Sequence, residues 1–130
     1  MSDNSSGNKV GAVLVAGGGI AGMQSALDLA NSGFKVYIVE ETTSIGGRMS
    51  QLDKTFPTND CAMCMISPKL IEVDKHLDIE IISNASIQSL EGKAGNFIVK
   101  VLKQPRYIDL DKCSSCGDCA DVCPVTLPNE

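Results

Sequence analysis

A chain of 130 residues with a 43% hydrophobic share holds enough apolar material for one domain with a real core. A net charge of −5, with no cluster of Lys or Arg, argues against nucleic acid or an anionic membrane surface as a partner. The most apolar stretch, Val10 to Met23, is too short and too rich in glycine to insert directly into a bilayer, and the polar residues 1–9 lack the apolar region of a secretory signal. Six cysteines at tight spacing then point to metal or redox chemistry in the cytoplasm rather than to a secreted disulfide scaffold.

Residues 1–9 read as a disordered polar tail. Val13, Leu14 and Val15 form a continuous apolar run, expected of a parallel strand buried on both faces. Gly17-Gly18-Gly19-Ile20-Ala21-Gly22 follows as G-x-G-x-x-G, with Gly17 for a tight turn, Gly19 for close approach to a pyrophosphate, and Gly22 for helix–strand packing. The helix behind this loop supplies free N–H groups and a positive dipole end. Its apolar stripe is Met23, Ala26, Leu27 and Ala30, at i, i+3, i+4 and i+7, and Asn31-Ser32-Gly33 stops it. Phe34 to Val39 reads as a second strand ending in Glu40, placed to accept hydrogen bonds from a ribose. An acid there also repels a 2′-phosphate, which disfavours NADP. The fold class is thus α/β, with a Rossmann-like βαβ start.

Beyond a polar loop, Ile45-Gly46-Gly47-Arg48 sets a second Gly-Gly pair beside a fork-shaped donor near the expected diphosphate path. Cys61-Ala62-Met63-Cys64 is a C-x-x-C. These two cysteines are a redox dithiol, ligands to a metal centre, or small residues beside a cofactor; the sequence does not choose. Ser67 and Pro68 are expected as N-cap and first residue of a helix to about His76, with Leu70, Ile71 and Leu77 on its apolar side. Ile79 to Ile82 is expected as the next parallel strand. Ser86–Leu90 and Phe97–Leu102, flanking the turn Gly92–Asn96, form a hairpin insertion over about 85–103. The partial nucleotide domain then spans 10–104, and 105–130 is a ferredoxin-like segment.

That segment contains Cys113, Cys116, Cys119 and Cys123 as C-x2-C-x2-C-x3-C-P, the spacing of bacterial [4Fe–4S] ligation. A zinc site more often shows two separated C-x-x-C pairs. Cys123 either closes a single cluster or reaches for a second one.

The paired glycine signatures, the block Gln51-Leu52-Asp53-Lys54-Thr55-Phe56-Pro57-Thr58-Asn59-Asp60-Cys61, then Ser67-Pro68-Lys69-Leu70, and Lys103 to Asp109 leading into the cysteine run together resemble the A-subunit family of heterodisulfide reductases. The related A-subunits of quinone-interacting membrane-bound oxidoreductases are similar. The resemblance covers nearly everything from Val10 onward and implies a cytoplasmic iron–sulfur flavoprotein. Such a protein passes electrons between FAD and [4Fe–4S] clusters beside other subunits of its complex. It implies FAD rather than NAD on Gly17–Gly22, Glu40 and Gly46–Arg48. The family continues well past this length, so the chain is expected to be an N-terminal fragment or a short gene product with an incomplete FAD fold. The other reading is a relay or assembly module that binds a cluster without flavin.

Overall fold

The computed structural model describes residues 11–109 and 112–125, so the polar tail over 1–9 lies outside the described residues. Strand β1 (Ala12–Ala16), helix α1 (Ile20–Asn31) and strand β2 (Lys35–Glu40) make a βαβ unit, and helix α2 (Ala62–Lys75) leads to strand β3 (Ile79–Ser83). The three strands pair in parallel in the order β1-β2-β3, with Val15 level with Ile38 and Ile38 level with Ile81. Both crossovers step the same way across the sheet, so right-handed connections set α1 and α2 on one face. The core lies between that face and the helices: Met23, Ala26, Leu27 and Ala30 from α1, Val36 and Ile38 from β2, Ile66 and Val73 from α2, and Ile79 from β3. The apolar stripe of α1 is therefore buried as its spacing predicts. The N–H groups of Gly33 and Phe34 close its end on the carbonyls of Ala30 and Leu29.

Strand β1 departs from its expected double burial. Val13, Leu14 and Val15 are only half-buried, because β1 is an edge strand and both helices cover the same face. On the other side, Leu14, Tyr37, Ile87, Leu90, Phe97 and Val99 line an apolar cavity of about 850 Å³ between the sheet and the hairpin.

Helix α2 begins a turn and a half earlier than its local signals suggest. Its N-cap is Cys61, and Pro68 lies inside the helix. Lacking an N–H, Pro68 leaves the Cys64 carbonyl without its helical donor, a local cost. Burial decides against that cost: Ala62 and Ile66 are fully enclosed and tie the early turns to the core. The buried stripe is Ala62, Ile66 and Val73, with Leu70 packed at its margin, whereas Ile71 and Leu77 face solvent.

Strands β4 (Ala85–Lys93) and β5 (Asn96–Lys103) pair antiparallel as a separate sheet, with a bulge between Ile87 and Ser89. Ala94 and Gly95 alone connect them, a tighter turn than Gly92–Asn96 suggests. Past the hairpin, the Arg106 guanidinium donates to the Thr43 carbonyl at 2.8 Å and to Ser83 Oγ at 2.5 Å. This holds the chain against the C-terminal ends of β2 and β3 before the cysteine segment. Among the described residues of that segment, the single turn α3 (Asp118–Asp121) is the one helical piece.

Candidate functional site

The glycine loop lies where β1 ends and α1 begins. Gly17 takes φ +99°, and its N–H donates to the Val39 carbonyl at 2.8 Å, which fastens the loop to β2. A side chain on Gly22 would have its Cβ 2.0 Å from the Gly17 carbonyl oxygen, so the first turn of α1 passes against the loop with no room for one. Gly19 is the N-cap of α1, with open space where a Cβ would be and no side chain capping the helix. Ile20 and Ala21 follow at the exposed helix start. A cradle of backbone and uncapped N–H groups with free space in front suits a pyrophosphate.

The second glycine pair packs directly on the first. The Gly46 N–H donates to the Gly18 carbonyl at 2.8 Å, and a Cβ on Gly47 would come within 3.0 Å of Gly19 Cα. Gly47 opens a 3-10 turn over Gly47–Gln51, on which Arg48 stands exposed with no hydrogen bond or ion pair among the described residues. Sequence order alone does not reveal this contact between loops some twenty-eight residues apart (Gly46 minus Gly18).

Glu40 ends β2 and is the buried acid of the described residues. One carboxylate oxygen accepts from the Gly18 N–H at 2.6 Å; the other accepts from the Thr42 N–H at 2.9 Å and the Thr42 hydroxyl at 2.7 Å. Burial pushes this carboxyl up, but the N–H groups of Thr42, Gly18 and Glu41 and the Thr42 hydroxyl outweigh it and hold it below its usual 4.5. Glu40 thus shapes the glycine loop. Beside it a cleft of about 270 Å³ is lined by Gly17, Glu40 and Glu41 and, from the start of the hairpin, by Ala85, Ser86 and Ile87. No sequence signal marked those three hairpin residues.

A carboxylate with a depressed folded-state pKa contributes stability that is present above the unfolded value and lost as pH falls through the folded one. Glu40→Gln keeps one acceptor and sets an amide against buried donors. It is expected to cost about 1–3 kcal/mol near pH 7. Urea midpoints of variant and parent should converge as the pH is taken down past the usual 4.5 and through the lower folded-state value; a constant gap across that range would show that ionised Glu40 is not the source.

The cysteines divide into two groups. Cys61 and Cys64 sit together at the N-terminus of α2, their sulfurs 2.7 Å apart. Cys113, Cys116, Cys119 and Cys123 are all free and exposed, as is every described residue over 112–125. Four thiols at ferredoxin spacing suit the donor set of an iron–sulfur cube. Among the described residues no three His, Cys, Asp or Glu side chains stand where they could hold one metal ion. His76, the single histidine, is structural: it caps α2, and Nδ1 accepts from the Asp78 N–H at 3.1 Å.

Comparison with known proteins agrees with this division. The model of the FAD dependent oxidoreductase family matches residues 12–71, and that of the 4Fe-4S binding domain matches 106–125. FAD and a [4Fe–4S] cluster are accordingly the cofactors of the two segments. Over 116 residues, 89% of the chain, it is 58% identical to the A-subunit of the H2:CoB-CoM heterodisulfide,ferredoxin reductase of Methanothermobacter thermautotrophicus. It is 56% identical over 90% of its length to an iron-sulfur A-subunit of the CoB–CoM heterodisulfide reductase of Methanopyrus kandleri. In both cases the chain spans 18% of the relative's length. Among solved structures, the L-proline dehydrogenase of P. horikoshii superposes on 72% of the chain and 19% of its own, with a TM-score of 0.61 and 25% identity. The p-nitrophenol 4-monooxygenase of Pseudomonas putida shares the fold over 71% of the chain and 36% of its own, at TM-score 0.52 and 15% identity. No helix of the described residues is long and apolar enough to cross a membrane.

Proposed function

We propose that this chain, which belongs to the A-subunit family of heterodisulfide reductases, passes electrons between FAD and a [4Fe–4S] cluster as part of a cytoplasmic oxidoreductase of several subunits. The observation that carries the reading is one chain holding both a glycine cradle and four free thiols at ferredoxin spacing. When bound, the flavin and the cluster supply the redox chemistry, and the protein contributes position and electrostatics.

On this reading Gly19, Ile20, Ala21 and Gly22 present backbone N–H groups to the pyrophosphate, while Gly17 and Gly18, whose N–H groups are held by Val39 and Glu40, set the shape of the loop behind them. Glu40 accepts from the ribose with the one acceptor position left on the oxygen that Gly18 holds, and its charge turns away a 2′-phosphate. Gly46 and Gly47 hold the second loop against the first, so that the exposed Arg48 guanidinium can meet a diphosphate oxygen. Cys113, Cys116, Cys119 and Cys123 are the iron ligands. The boundaries follow: a nucleotide-binding unit over 10–104 that includes the hairpin, and a cluster segment over 105–130. We place the chain within a complex of the heterodisulfide reductase kind rather than the quinone-interacting kind, because the relatives above carry the first name.

Anaerobically purified protein is expected to show flavin absorption bands over a broad iron–sulfur shoulder, both bleached by dithionite. A shoulder without flavin bands would replace this reading by a relay module that binds only the cluster. Colourless protein loaded with zinc would overturn both.

A further inference from the structure

The loop from Asp53 to Cys61 is built to present one side chain. Lys54 and Cys61 form an antiparallel bridge, the Thr55 N–H donates to the Asp60 carbonyl at 2.9 Å, and the Ala62 N–H donates to the Asp53 carbonyl at 3.1 Å. The loop closes on itself and delivers Cys61 as N-cap of the fourteen-residue α2. Cys61 Sγ accepts from the Cys64 N–H at 3.3 Å and from the Cys64 thiol, the two sulfurs being 2.7 Å apart. Both thiols are exposed.

The geometry points to a third redox group in this chain: Cys61 and Cys64 form a two-electron dithiol–disulfide centre, Cys61 attacking and Cys64 resolving. The two thiols are unequal. The hydrogen bond from the Cys64 thiol and the Cys64 N–H draw Cys61 below its usual value, against weaker opposition from desolvation and Asp53. Cys64, spending its proton on Cys61 and facing that charge, is pushed up. A thiolate at Cys61 sits at the positive end of α2, whose first turn has no acid. Leu52, Phe56, Met63 and Met65, on the same stretch of chain as the pair, are exposed as well.

The exchange balances without further reagents. The Cys61 thiolate attacks one sulfur of an external disulfide; that S–S bond breaks, and the leaving thiolate departs with the electron pair and takes a proton from water. Cys64 loses its proton to solvent and attacks Cys61 Sγ, which expels the second thiolate. The external disulfide is reduced to two thiols while the Cys61–Cys64 dithiol is oxidised by two electrons. Neither flavin nor cluster enters these steps, so the proposal stands or falls separately from the function above.

The full chain, kept anaerobic, is equilibrated in buffers of reduced and oxidised dithiothreitol and mapped by mass spectrometry after alkylation. The expected result is a reversible Cys61–Cys64 linkage with the loss of two hydrogens. Cys64→Ser should retain one thionitrobenzoate on Cys61 after treatment with the aryl disulfide DTNB, whereas the parent retains none on the pair. Cys61→Ser, which keeps a good N-cap and so should fold, should slow modification of Cys64 roughly tenfold. Absence of the linkage at every buffer ratio would overturn the proposal. So would equal reactivity of Cys64 with and without Cys61, or a fall in bound iron in either serine variant, which would make the pair metal ligands.

Discussion

Gly22→Ala is expected to remove the flavin and lower stability together. Its Cβ would be placed 2.0 Å from the Gly17 carbonyl oxygen and 3.1 Å from the carbonyl carbon, and both are backbone atoms with no rotamer to escape into. Either α1 shifts along β1 or the loop opens. A shift costs about 1–3 kcal/mol as overpacking, more than the roughly 1 kcal/mol of helix propensity that alanine gains over glycine. Bound FAD after gel filtration should fall at least roughly tenfold, as misplaced N–H groups lose the pyrophosphate. Gly19→Ala separates the two effects. Its Cβ meets nothing within 4 Å and its φ of −73° suits any residue, so folding should be untouched. The new methyl nevertheless enters the space in front of the cradle and should weaken FAD. If Gly19→Ala kept full flavin, the pyrophosphate would not lie where the loop points.

Cys116→Ala is expected to reduce the iron and acid-labile sulfide of the protein to background and abolish the cluster's electron paramagnetic resonance signal. With one of its four thiolate ligands gone, the cube loses a corner of its coordination. Every described residue over 112–125 is exposed and adds no member to the core. The urea midpoint of the α/β part and its flavin content should therefore stay at the parental values. Cys123→Ala should behave identically if all four thiols close one cluster. Retention of the signal in Cys123→Ala alone would move that residue to a second centre.

The parts legible from the sequence were those whose physics is local. The α1 stripe of Met23, Ala26, Leu27 and Ala30 needs only a helical period and one apolar side, and all four are buried. The glycine fingerprint and the ferredoxin spacing are short-range constraints on backbone and donor set, and the family models match both segments. Helix α2 shows where local signals mislead. Ser67-Pro68 has the form of a helix start, yet Ala62 and Ile66, both ahead of it in the chain, find full burial, and that gain outweighs one missing hydrogen bond. Strand β1 shows the same for burial. Its apolar run states that it can be covered on both sides, not that it is.

By itself, then, the sequence determined the βαβ start, the kind of cofactor each segment suits and the family, because periodicity, glycine position and cysteine spacing are properties of neighbours along the chain. Only the tertiary structure decided that Gly46 and Gly47 pack on the first glycine loop and that Glu40 spends both oxygens on Gly18 and Thr42. It also decided that Cys61 caps a helix with its sulfur against Cys64. Each of these depends on where a distant or extended segment comes to rest, and burial of apolar surface settles that without regard to local signals.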